Sequence, residues 1–198
     1  ALGLDGSIPA QYIRWISNFL LHGDLGLSLR GGGPVLDEIL VRLPHTVELG
    51  LLALLFALAI GLPVGIYSAL HPETLRDHLG RTFSVLGLAI PGFWLGTMAV
   101  ILPSIWWGWM PPIQPVPLFE EPWLNLQKFL IPALILGLAF SAIIMRMTRA
   151  MMLEVLGQDY IRTAWAKGLR ERRVVMRHAL RNALIPVVTL VGILVPIV

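Results

Sequence analysis

GQDYIRTAWAKGLRERRVVMRHALRNALIP, residues 157–186, decides how the chain has to be read. It lies between long hydrophobic runs, yet it carries nearly half of the chain's 15 Lys and Arg residues. Two short helices joined by a hinge are expected here. Gly157 suits the left-handed stop of a preceding helix, and Asp159 can cap the next one through its carboxylate. The first helix is expected over about 160–167, with Gly168 at its C-terminal stop. The second is expected to start near Arg170 and continue into the apolar segment after Asn182.

At about 100° per residue, Arg170, Arg173, Arg177 and Arg181 fall on one stripe of that second helix. Val175, Ala179 and Ala183 fall opposite, flanked by Met176 and Leu180. One reading is a basic amphipathic helix lying on an anionic membrane surface. The first helix favours another. Tyr160, Ala164 and Trp165 are more apolar than a solvated loop requires, and Arg162 and Lys167 sit among them. A small mixed surface of this kind is expected to dock another protein.

The segment LEVLGQDYIRTAWAKGL, followed by RHALRNALIPV, resembles the cytoplasmic loop of bacterial and archaeal ABC-importer permeases. It is most similar to the first of the two permease subunits in the dipeptide/oligopeptide/nickel group. The wider family's loop has Glu-Ala-Ala, three residues, then Gly; here Arg162, Thr163, Ala164 and Gly168 occupy that pattern. Arg162 and Thr163 depart from Glu and Ala, and Arg181 stands where many sugar-type permeases have Pro. Both departures are similar to the peptide branch, as is GDLGLSLRGGGPVLDEILVRLPHTVEL over 23–49. The resemblance covers nearly the whole chain. It implies that Asp159, Tyr160, Arg162, Thr163, Ala164, Lys167 and Gly168 form a coupling surface for an ATPase, with Ala164 packing against that partner and the polar residues around it setting orientation.

Composition points to the same class. Of the 198 residues, 56% are hydrophobic and 14% charged, and the apolar ones cluster in runs. An all-α polytopic membrane protein is expected, with kinked spans and a cytoplasmic loop. Residues 1–45 are mixed and Gly-rich, an external segment with a flat interfacial helix over 9–21, a turn at 31–34 and a second short helix over 35–43. Residues 46–198 are the permease domain, with spans expected at 46–70, 82–107, 129–145 and 183–198. The last stops after about sixteen apolar residues where a crossing needs roughly 20. That shortfall, and a first residue that is Ala rather than Met, suggest a piece of a longer chain, and an external N-terminal segment, like the resemblance, implies a missing upstream helix.

Pro63 is expected to kink the first span and Pro91-Gly92 the second. Gly50, Gly61 and Gly65 offer small surfaces for close helix packing. Residues 108–128, rich in Pro and flanked by Trp106, Trp107, Trp109 and Trp123, read as an irregular loop with an interfacial aromatic belt. The polar stretches 71–81 and 146–182 hold eleven Lys or Arg; 1–45 and 108–128 hold four. By the positive-inside rule the first pair is expected to be cytoplasmic, and the resemblance then implies that 146–182 is a cytoplasmic coupling loop. The net charge of +3 therefore follows membrane topology, and no nucleic-acid partner is expected.

No enzyme site is visible. The glycines at 31–33 lead to Pro34 instead of the Gly-Lys-Ser/Thr of a phosphate-binding loop. His45 and Glu48 are two potential metal ligands with no obvious third, so a polar anchor is the better reading. The expected span interiors contain no other ionisable residue, whereas proton- or sodium-coupled carriers bury such groups near the midplane. A chain with neither feature has no energy source of its own. Together with the resemblance, this implies a permease subunit that binds no cofactor, with ATP-Mg on partner subunits. The partners the resemblance implies are a second permease subunit (a heterodimer), two cytoplasmic ATP-binding subunits, an external solute-binding protein and membrane lipid, in a bacterial or archaeal inner membrane. Pro91, Gly92 and Gly96 leave room beside the second span, and the resemblance implies a solute path lined by such helices. The rivals are a self-contained secondary carrier or channel, and a membrane-anchored scaffold.

Overall fold

The computed structural model describes residues 6–29, 31–111 and 118–194. Helices dominate them, and the only strand-like feature among the described residues is one bridge between Leu27 and Pro34. The chain divides into two compact units, Ala1–Glu48 and Leu49–Val198.

In the first unit, α1 spans Ile8–His22 and buries none of its residues. Gly23, at φ 66°, ends it in the left-handed conformation, its N–H returning to the Phe19 carbonyl. Tyr12, Trp15 and Phe19 form an aromatic row on this helix, the last two stacked at 6.2 Å. The glycine turn closes through Ser28 N–H to the Gly33 carbonyl.

α2 runs unbroken over Val35–Leu70, 36 residues or about 54 Å. The sequence suggested two helices here, split near Pro44. Losing one amide and crowding one carbonyl does not stop a helix of this length, whose remaining ladder is intact on both sides.

The expected polar loop over 71–81 is a single turn. Thr74 caps α3, Leu75–Ala89, its side chain accepting from the Asp77 N–H. The second expected span is two helices, α3 and α4 (Gly92–Trp107), meeting at 87°. Proline crowds the residue before it out of the helical region. Ile90 is accordingly extended (ψ 121°), Pro91 follows at ψ 128°, and two successive extended residues turn a break into a corner. Each half is too short to cross a bilayer on its own.

α5 occupies Pro122–Leu156, far beyond the expected 129–145 at both ends. Residues 122–128 thus leave the expected irregular loop and 146–156 leave the expected coupling loop. Pro112, Pro115 and Pro117 lie outside the described residues. The last helical segment begins where the sequence placed its start, near Arg170: α7 (Glu171–Arg173), a π-helical stretch (Val174–Ala179) and α8 (Leu180–Leu194) run on as one helical rod. The membrane-length stretch thus reaches further toward the N-terminus than the expected 183–198. By length and composition three helices can span a membrane, or four if the bent pair counts as one crossing.

The second unit is held together by close backbone approach. Cβ atoms on Gly61 and Gly65 of α2 would lie 2.8 Å from the Ser141 and Met145 carbonyl oxygens of α5. One on Gly137 of α5 would meet the Ala53 carbonyl at the same distance. α3 packs on α5 through Asp77, Gly80, Ser84 and Gly87, and Ser84 Oγ donates to the Ala142 carbonyl at 3.0 Å. α8 completes the core with Val187 and Leu194 against Ala57 and Ile144. Without a hydrophobic drive between helices in lipid, small residues that admit backbone contact are what binds them.

Candidate functional site

α6 covers Asp159–Ala166, one short amphipathic helix between α5 and the π-helical stretch. Its N-cap is Gln158, and Asp159 is the first helical residue with no capping bond from its side chain. The carboxylate instead lies 3.4 Å from Arg162, both groups well exposed, an arrangement worth little in water. Gly157 is right-handed (φ −77°), so the preceding helix does not end on a left-handed residue. The chain turns there because Gln158 is extended (ψ 149°). Gly168 does adopt the expected left-handed conformation, φ 73°, with its N–H on the Trp165 carbonyl at 2.8 Å.

The helix has a buried base. Ile161 and Ala164 enter a cluster with Ala69, Met152, Val174, Val175, Ala179 and Ala183, which come from α2, α5, the π-helical stretch and α8. Ala164 is only 7% exposed. Its methyl is packed against its own chain, so it is not the surface group the resemblance implied. At 8 residues α6 is too short to be stable alone, and this cluster is what fixes it. Outward it presents Tyr160 (42% exposed), Trp165 (44%), Arg162, Thr163 and Lys167. The Tyr160 hydroxyl accepts from Asn182 Nδ2 at 2.7 Å, tying the exposed edge to α8.

The π-helical turn shifts the faces of the next segment. Val174 and Val175 are both buried, as is Ala179, whereas Met176 is 55% exposed and not beside the apolar face as 3.6-residue spacing suggested. Arg170, Arg173, Arg177 and Arg181 remain exposed. Such turns widen the helix by one residue and recur at functional positions.

Below this knob lies a pair the sequence reading missed. Asp77 on α3 is fully buried, and Arg149 on α5 holds both its oxygens. Ser68 of α2 donates to the same carboxylate, Glu73 N–H adds a bond at 3.1 Å, and Arg81 stands 3.4 Å away. Glu73 is held at φ 59°, rare for a residue with a side chain, by that amide bond and by its own contact with Arg81. Arg149 and Asp77 fell in expected loops, and only the true helix lengths bring them to one level.

The three residues proposed for a solute path are not equivalent. Gly92 and Gly96 line a cavity of about 350 Å³ between α4 and α5, with Val100, Ile135 and Lys128 among its walls. A Cβ on Gly96 would meet nothing within 4 Å. Pro91 is absent from that lining and instead forms the corner at the N-cap of α4. His45 and Glu48 gain no third ligand: among the described residues no group of three or more His, Cys, Asp or Glu could hold a metal ion.

Residues 61–198 match the family of binding-protein-dependent transport system inner membrane components. The chain is 40% identical to the dipeptide transport system permease protein DppB of Escherichia coli (strain K12), over 97% of its own length and 63% of that protein. It is 41% identical to the oligopeptide transport system permease protein AppB of Bacillus subtilis (strain 168), covering 98% and 62%. It is likewise 41% identical to the glutathione transport system permease protein GsiC of Pectobacterium atrosepticum, covering 97% and 60%. The chain thus spans less than two thirds of the length of these relatives.

Proposed function

Because the chain belongs to the family of binding-protein-dependent transport system inner membrane components, we propose that it serves as the first of two permease subunits in an ATP-driven importer of peptides or similar small solutes. In this reading a second permease subunit completes the pathway, two cytoplasmic ATP-binding subunits carry ATP-Mg, and an external protein delivers the solute. The membrane is the inner membrane of a bacterium or archaeon. This chain moves solute by alternating access and does no chemistry of its own.

The observation that carries the reading is α6, with its exposed Tyr160, Arg162, Thr163, Trp165 and Lys167 on a base shared by α2, α5 and α8. A push on such a surface is passed to all three helices at once, because Ile161 and Ala164 have no slack to absorb it. The basic side chains suit a cleft with acidic residues at its rim. A proton-coupled carrier fits less well. The buried carboxylate of Asp77 accepts on both oxygens from fixed donors, the arrangement of a structural ion pair.

The test uses the complete transporter reconstituted in lipid. Trp165→Asp places a charge in the proposed interface, where an unpaired carboxylate costs several kcal/mol, enough to weaken ATPase association by more than about tenfold. Membrane insertion should be unchanged. Ala164→Asp is the contrasting variant: it should damage the base itself and lower thermal stability. Normal ATPase association together with normal uptake in Trp165→Asp would remove the coupling role from α6.

A further inference from the structure

A groove of about 630 Å³ runs between α2 and α3, walled by Ile60, Pro63, Val64, Leu79 and Phe83, with Tyr67 and Arg76 at one end. Its walls are apolar and open outward; Leu79 is 60% exposed. From Ile60 to Tyr67 the α2 wall is about two turns long, roughly 10 Å. The end bearing Arg76 is at the level of the knob, since Ala69 and Leu70, just past Tyr67, pack against Met152 and Ile161.

Charge at that end is unbalanced in a specific way. The two carboxylates of the turn, Glu73 and Asp77, are both engaged, Glu73 by Arg81 and Asp77 by Arg149 and Arg81. Arg76 has neither. Its guanidinium donates to the Tyr67 hydroxyl and lies 5.6 Å over the Tyr67 ring, contacts that aim the side chain without neutralising it. The His71 ring lies tilted against that of Tyr67, their centroids 4.5 Å apart. A cation held in place at the mouth of an apolar groove, where the hydrocarbon meets water, is complementary to a lipid phosphate above an acyl chain.

We propose that this groove is a binding site for an anionic phospholipid, with one acyl chain along Ile60, Val64 and Leu79 and the headgroup phosphate on Arg76. The site requires only that the chain be embedded in a bilayer, so it stands or falls separately from the transport reading. The probe is phosphatidylglycerol against phosphatidylcholine. The complete transporter is reconstituted in bilayers of both, extracted in mild detergent, and its retained lipids are counted by native mass spectrometry. Wild type should retain phosphatidylglycerol in excess. Arg76→Glu should lower retention at one site per copy of this chain by about tenfold or more, and Arg76→Lys should keep most of it. Ile60→Trp, which fills the groove and leaves the charge, should also displace the lipid, whereas excess inorganic phosphate should not. Equal retention of both lipids, or phosphatidylglycerol counts unchanged in Arg76→Glu and Ile60→Trp, would overturn the site. A groove covered by another subunit would give the same unchanged counts.

Discussion

Arg149 and Asp77 meet in a two-pronged ion pair: Nε donates to Oδ1 and Nη2 to Oδ2, each at 2.7 Å. The partners sit on α5 and α3, and the carboxylate is fully buried while the arginine side chain keeps 18% of its surface. Breaking one side of such a pair leaves a charge with no counterpart. Asp77→Ala should therefore destabilise the assembled protein by about 3–5 kcal/mol, whereas Asp77→Leu combined with Arg149→Met should cost clearly less. Thermal unfolding of the purified complex would measure both. A loss below about 1 kcal/mol in Asp77→Ala would mean the pair is not fastening α3 to α5.

Gly168 and Gly157 flank the same helix and should respond in opposite ways. Gly168 needs φ 73°, so Gly168→Ala should cost about 1 kcal/mol or more through backbone strain, although no atom would crowd the new methyl. Gly157 is right-handed with its nearest obstacle at 3.4 Å, and Gly157→Ala should be neutral or slightly stabilising. Uptake by the reconstituted transporter and its melting temperature should both rank the variants in this order.

At Gly61 the limit is space. A methyl there would be 2.8 Å from the Ser141 carbonyl and about 3 Å from Ile144, so α2 and α5 must separate to admit it. Gly61→Val should lower stability by about 1–3 kcal/mol. Gly61→Ser should cost less than Val. Disulfide trapping between cysteines introduced on the two helices would register the separation directly.

If the proposed solute path runs beside α4, Gly96→Trp should fill that cavity and stop uptake while the complex remains assembled and the proposed ATPase subunits stay bound. Undiminished uptake with a correctly inserted mutant would place the solute path elsewhere.

What the sequence revealed and what it hid divide along a physical line. Local signals worked where the backbone itself is constrained. The corner at Pro91 and the left-handed Gly168 both appear where residue chemistry demanded them, although the corner is 87° rather than a kink. Helix ends were misplaced because hydropathy reports the solvent around a segment and says nothing about its hydrogen bonds. α5 continues past Arg146 and Arg149 because both are good helix formers, and Arg149 is held by Asp77 of the same protein. The Asp77–Arg149 pair was illegible for the same reason: neither residue is remarkable until α3 and α5 have their true lengths. Ala164 was read as a surface methyl because its resemblance-based role named a partner, whereas its fate was settled by Met152, Val175 and Ala183 of its own chain. The π-helical stretch left no periodic trace, since one widened turn is shorter than any window that detects periodicity.

The base beneath α6 also sets an order of events during synthesis. Ala69 leaves the ribosome first and Ala183 among the last of the described residues, yet both are needed to bury Ile161. α6 ends at Ala166, so it waits 17 residues for Ala183, about 1–3 seconds at ~5–20 residues per second. Through that interval the nascent chain holds α6 without its seat, too short to fold unaided. The knob can assume its shape only once the helix after it has arrived. A cytoplasmic subunit that reads this shape would consequently ignore unfinished copies, and under the proposed coupling role that contact would double as an inspection stamp.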